Sequence, residues 1–142
     1  MQRTTSGGSR PLTDRNDRAS ARDLAIAAAR AADDKGARDI VVLEVGDVLV
    51  VADEFVIVSA SNDRQVKAIV DDIERTVDEV GYGKPLRVEG LDDRHWVLID
   101  YGDVVVHVFL EETRAYYELE RLWSDVPRLA WDEVAASRPA GT

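Results

Sequence analysis

The fourteen residues from Trp96 to Phe109, WVLIDYGDVVVHVF, place two carboxylates, a tyrosine and one of the chain's two histidines inside an otherwise apolar run. Asp100, Asp103 and His107 are the residue types that hold a metal ion or move protons. A shared ion requires ligand atoms within about 2.0–2.2 Å. Asp103 and His107 are four apart, which on a strand means one face but ~13 Å of separation at ~3.3 Å per residue. They meet on one ion only if the strand breaks. Asp100 and Asp103 flank a turn and can be neighbours, but two carboxylates without a third ligand make a poor site. His95 lies just before the first strand of the pair, and nothing in the spacing carries it to Asp103. No metal and no cofactor is expected.

Other chemistries find little support. The chain has no cysteine, so thiolate ligands, cysteine nucleophiles and disulfides are all absent. There is no G-x-S-x-G elbow, P-loop or G-x-G-x-x-G. The stretch Ser59-Ala60-Ser61-Asn62 leads from a strand into a helix and could offer backbone N–H groups to a phosphate, with Arg64 beside it; an ordinary helix cap needs no ligand. His107 shares a face with Val105 and Phe109 and reads as a hydrogen-bonded, half-buried residue. An enzymatic alternative, of nucleotidyltransferase type, would set Ser61 and Asn62 near phosphate and Asp100 and Asp103 near magnesium.

An interaction surface fits the residues better. Trp and Tyr bury large apolar area and keep a polar tip, which suits them to interface anchors. Trp96 and Tyr101 stand at the two ends of one strand, an odd number apart, so on opposite faces unless a twist or bulge brings both to one rim. Asp100 and Asp103 beside them offer charge-assisted hydrogen bonds to Lys or Arg of a partner. Between Glu89 and Asp125 there are ten acidic residues and three basic ones.

The elements that must position these groups follow from pattern. The chain's 142 residues, 45% hydrophobic and 32% charged, suit one soluble domain with its own core. No apolar run approaches the ~18 residues of a membrane span, and the polar N-terminus is not a secretory signal, which suits a cytoplasmic protein. The net charge is −10; residues 1–18 carry four Arg against two Asp and residues 124–142 two Arg against three acids, leaving −11 between them. Such a body repels phosphate backbones and attracts basic protein surfaces.

Residues 1–19 lack periodic apolar positions and read as a disordered tail. Ser20 offers an N-cap for an alanine-rich helix ending near Gly36. DIVVLEV reads as a buried strand, with Val48–Val51 and Phe55–Ser59 extended after it around an irregular joint at Ala52-Asp53-Glu54. Asn62 caps the clearest helix, with Gln65 reaching back and Val66, Ile69, Val70, Ile73, Val77 and Val80 as its apolar stripe. PLRVEG gives a short strand, and the Trp96–Phe109 block two strands joined at Tyr101-Gly102. A helical segment follows, with Leu110, Tyr117, Leu119, Leu122 and Trp123 as packing residues. Residues 126–142 read as an extended arm with Trp131 as a docking point. The fold class is α/β, a mixed sheet of about five strands flanked by helices.

Taken together, SASNDRQVKAI, VEG, WVLIDYGDVVVHVF and YYELERLW, in this order, resemble the ribosomal silencing factor (Iojap-like) family over residues 20–125. Ala60 departs from the family, which usually has glycine there. The resemblance implies a nucleotidyltransferase-like fold without catalysis. It implies binding to the large ribosomal subunit through its protein number fourteen, at an intersubunit bridge, so that the small subunit is kept from joining and translation is repressed. It also implies a homodimer when free. By position, Trp96 and Tyr101 match the family's contact residues; Asp100, Asp103 and Glu89 are added on physical grounds, as partners for basic side chains.

Overall fold

A computed structural model describes residues 10–46, 52–117, 121 and 124–132, with side chains from residue 20 onward. Its elements run α1 (Arg10–Asp34), β1 (Arg38–Glu44), β2 (Glu54–Ala60), α2 (Asp63–Glu79), β3 (Arg87–Glu89), β4 (Trp96–Asp100), β5 (Val104–Leu110), α3 (Glu111–Tyr117) and β6 (Arg128–Leu129). The six strands form one sheet in the order β3-β4-β5-β2-β1-β6. β2 and β5 pair in parallel, joined through α2 and the β3–β4 pair, and the other pairings are antiparallel.

Strand alternation splits the side chains between two layers. Val56, Val58 and Ala60 of β2, Val97 and Ile99 of β4, and Val104, Val106 and Val108 of β5 face α1 and α2 and form the main core. The alternate residues Ile57, Phe109 and Leu43 face the other way, into a smaller cluster with Val45 and Ala52. We call these the helix face and the open face.

The helix face closes because both helices suit it. α1 packs through Ala21, Ala25, Ala28, Ala29 and Ala32, whose small side chains let the backbone approach the sheet. α2 buries Val66, Ile69, Val70, Ile73 and Val77 completely. Val80, expected to finish this stripe, is instead the C-cap and is 56% exposed, because the helix ends before the stripe completes its next turn. The N-terminus of α2 is capped from both directions: Asn62 Oδ1 accepts the Gln65 N–H at 2.8 Å, and Gln65 Oε1 reaches back past the N-cap to accept the Ser61 N–H at 2.6 Å. Gln65 Nε2 also donates to the Lys35 carbonyl at 3.0 Å, tying the end of α1 to the start of α2.

One further expectation needs correction. α1 begins at Arg10 and not at Ser20, so residues 10–19 are helical and not a disordered tail; Pro11, in the first helical turn, starts a helix where its missing N–H costs nothing. Residues 1–9 lie outside the described residues, as do Val48–Val51, Leu119, Leu122 and Trp123. The sheet has six strands because the chain after Pro127 turns back onto β1, with Val42 opposite Leu129 and Leu43 opposite Arg128. Trp131 docks there, its indole N–H donating to the Ile40 carbonyl at 3.3 Å. The remainder of the expected arm, residues 133–142, lies outside the described residues.

Candidate functional site

β4 and β5 form the expected hairpin, with Trp96 opposite Phe109 and Asp100 opposite Val105. The Tyr101 N–H donates to the Val104 carbonyl at 2.9 Å, and Gly102, at φ 93°, takes the left-handed conformation that closes the turn. β4 stays regular to Asp100, so no bulge brings Trp96 and Tyr101 to a common rim. Trp96 lies on the open face, against the cluster of Phe109 and Ile57. Tyr101 lies on the helix face, half-buried against the main core. Burial, with Glu74 and Asp78 of α2 nearby, pushes its hydroxyl pKa well above the ordinary value.

The acidic candidates also divide. Glu89 of β3, opposite Leu98 of β4, is exposed and lines a shallow groove of about 320 Å³ with Gly90, Trp96 and Leu98. Asp100 shares the open face with Trp96 but sits at the far end of the strand. Its carboxylate is used internally: Oδ1 accepts the Gly102 N–H at 2.8 Å and Oδ2 the Arg87 Nε–H at 3.1 Å. Arg87 also pairs with Glu89 at 3.4 Å. Asp103 is exposed in the hairpin turn, where its carbonyl accepts from the Asp53 and Glu54 N–H groups at 2.7 and 3.1 Å. Trp96 and Glu89 are therefore brought together, and Asp100, Tyr101 and Asp103 are not. No group of three or more His, Asp or Glu among the described residues is arranged to hold a metal ion.

Trp96 opens onto a second, larger cleft of about 500 Å³, lined by Asp93, His95, Glu112, Tyr116 and Tyr117 among others. Its indole stacks on Phe109, centroids 4.8 Å apart at 28°, and meets Tyr117 at 5.2 Å. Tyr117 meets Tyr116 edge to face at 5.1 Å. Tyr117 is half exposed and Tyr116 is 79% exposed, an uncommon exposure for two adjoining rings unless something covers them. The Trp96 indole N–H donates to His107 Nδ1 at 3.1 Å. His107 is buried, and that burial lowers its pKa to about 4, so the ring is neutral at physiological pH.

Two devices hold this cleft in shape. Gly90, at φ 95°, passes so close to the next strand that a Cβ would stand 2.2 Å from the Trp96 carbonyl oxygen, so only glycine fits. Arg114 of α3 is buried and donates through Nη1 to the Asp39 carbonyl at 2.6 Å and to Ser59 Oγ at 2.8 Å. That anchor pins α3 across the ends of β1 and β2 and aims Tyr116 and Tyr117 at Trp96. Sequence reasoning missed Asp93, Glu112 and Tyr116, and assigned Tyr117 to packing alone. The available signal was the Trp96–Phe109 pairing: it places whatever follows β5 beside Trp96.

The fold and the cleft define a small α/β protein with a mixed six-stranded sheet, closed by helices on one face and carrying an aromatic, acid-rimmed recess on the other. The chain belongs to the ribosomal silencing factor family: the family profile described as "Ribosomal silencing factor during starvation" matches residues 18–142, past both ends of the resemblance seen in the motifs. Over 104 residues the chain is 49% identical to the ribosomal silencing factor RsfS of Bacillus subtilis, covering 73% of this chain and 86% of that protein. A crystal structure from Chromobacterium violaceum superposes with a TM-score of 0.70 at 32% identity, covering 73% of this chain and 86% of the other. One from Bacillus halodurans gives 0.62 at 40% identity, covering 75% and 93%. No helix among the described residues is long and apolar enough to cross a membrane.

Proposed function

We propose that this protein binds the large ribosomal subunit through its protein number fourteen and keeps the small subunit from joining, so that translation is repressed. The observation that carries this reading is the Trp96 recess, where exposed tyrosines and a half-buried indole are rimmed by Asp93, Glu112 and, across Gly90, Glu89. Such a surface combines aromatic anchors with carboxylates that attract Lys and Arg. The net charge of −10 opposes contact with bare RNA and favours a basic protein standing on the RNA surface. The action requires no bond made or broken: a folded body at the bridge excludes the small subunit by its volume, in proportion to occupancy.

Within this reading Trp96 and Glu89 are the centre of the contact, and Asp103 and Tyr101 reach the partner only if it extends past the hairpin turn. Asp100 contributes by holding that turn through Gly102 and Arg87. The free protein is a homodimer, in the cytoplasm. The deciding experiment mixes the protein with dissociated ribosomal subunits and reads the sedimentation profile. The expected outcome is co-migration with large subunits and a lower yield of joined ribosomes. Full joining with the protein left at the top of the gradient defeats the proposal.

A further inference from the structure

His107 is the buried polar side chain of the open face whose role the docking reading leaves unused. It is 5% exposed and lies opposite Leu98 on the neighbouring strand, one strand over from Trp96. Its Nδ1 accepts the Trp96 indole N–H at 3.1 Å. An acceptor Nδ1 leaves the ring proton on Nε2, so the imidazole is in a single tautomer. Phe55 packs edge to face on the imidazole, centroids 4.9 Å apart, and fixes its plane from the far side. The indole is thus restrained by a hydrogen bond at its nitrogen, a stacked ring in Phe109 and a tilted ring in Tyr117. A free half-exposed tryptophan loses rotamer entropy when a partner immobilises it; one already held loses less.

We propose that His107 is a positioning residue for the docking surface: it takes the Trp96 indole N–H, fixes the ring across the recess, and leaves only the ring surface for the partner. The inference rests on the reading that Trp96 docks the ribosomal partner, and it adds what that partner must present. The indole donor is spent inside the protein, so recognition comes from a side chain laid against the ring, an aliphatic stem or a cationic head, and not from a hydrogen-bond acceptor. Cationic groups are favoured over the indole face, and Asp93 and Glu112 at the rim attract the same groups.

The test titrates isolated large ribosomal subunits with full-length wild-type protein and with Trp96→Glu, Trp96→Phe, His107→Leu, His107→Asn and the double variant Trp96→Phe/His107→Leu. Leucine keeps apolar volume and removes the acceptor. Asparagine puts an amide oxygen about where Nδ1 stood. His107→Leu is expected to weaken binding about tenfold, and His107→Asn to return it to within about twofold of wild type. In the Trp96→Phe background, which has no indole N–H, His107→Leu is expected to cost less than about twofold. Equal weakness of the leucine and asparagine variants, or an undiminished leucine penalty in the Trp96→Phe background, overturns the positioning role while leaving the docking surface intact. Wild-type binding by Trp96→Glu overturns the docking reading itself, and the inference with it. Should His107→Leu fail to fold, the indole N–H resonance of the wild-type protein, identified by its loss in Trp96→Phe, decides: slow solvent exchange is expected, and exchange as fast as in an unfolded chain overturns the proposal.

Discussion

Trp96 and Val97 are neighbours in sequence and belong to different worlds. Val97 faces the helices and is wholly buried, whereas Trp96 faces the open side and stays partly exposed beside Tyr116 and Tyr117. The same alternation runs along β2 and β5, so both faces are built from the same strands. They differ in what lies over them. On the helix face α1 and α2 cover the sheet from β1 to β4. The open face has a buried centre of Leu43, Ile57 and Phe109 with Val126 packed on it, and among the described residues its only helix is the short α3 beyond the end of β5. A half-covered aromatic surface is a poor core and a good docking site, and here both arise from one hairpin.

The comparison breaks most readily on the helix face. Ile73, on the buried side of α2 and fully buried, should cost ~2–5 kcal/mol of stability when changed to alanine, as buried large-to-small changes do. Urea unfolding measures this, and ribosome binding per folded molecule should not move. Trp96→Glu should show the opposite division: a binding loss of roughly 2 kcal/mol or more with the fold retained, read by co-sedimentation alongside circular dichroism. If Ile73→Ala impairs binding as much as folding, the two faces are not separable.

A smaller effect comes from one buried titratable group on each face. Glu54 sits on the helix face near Glu44, Asp53 and Arg22; burial first, then Glu44, raises its carboxyl from 4.5 to about 8. The folded chain then holds a proton that the unfolded chain has released, so this group's contribution, complete below about 4.5, is lost as pH rises to about 8. Burial lowers His107 on the open face from 6.5 to about 4, so its contribution is complete above 6.5 and is lost as pH falls to about 4. The two slopes oppose each other where they overlap. Glu54→Gln should therefore make stability rise more steeply with pH between about 4.5 and 6.5 than in wild type, and remove a decline between 6.5 and about 8. Unfolding free energies measured across that range check both signs. The smallest stability change belongs to Tyr116→Ala: the ring is 79% exposed, so stability should stay within about 0.5 kcal/mol while binding weakens by about 1 kcal/mol.

Much of this division was legible in the residues. The capped helix over α2, the hairpin around Gly102 and the opposite facing of Trp96 and Tyr101 all follow from local rules of spacing. The expectation of a structural, hydrogen-bonded His107 was likewise local, resting on its apolar strand neighbours, but its partner was not, because Trp96 is eleven residues away and reaches it only through the β4–β5 register. Glu89 was chosen for its charge, and its place beside Trp96 depends on β3 pairing at the sheet edge. Asp100 was chosen on the same ground, and its carboxylate turned out to be occupied by Arg87 and Gly102. The sixth strand was not legible, since two residues, Arg128 and Leu129, carry too short a pattern to signal a strand before β1 offers them an edge.

The order of letters by itself determined which residues alternate, where helices are capped, which turns need glycine, and the acidic balance of the body, because each depends on neighbours within a few positions. Only the tertiary structure decided which face was sealed and which left open. That outcome depends on α1 and α2 arriving on one side while Arg114 pins α3 on the other through bonds to residues more than fifty positions away. The recess at Trp96 is therefore a product of packing, although every side chain in it is written in the sequence.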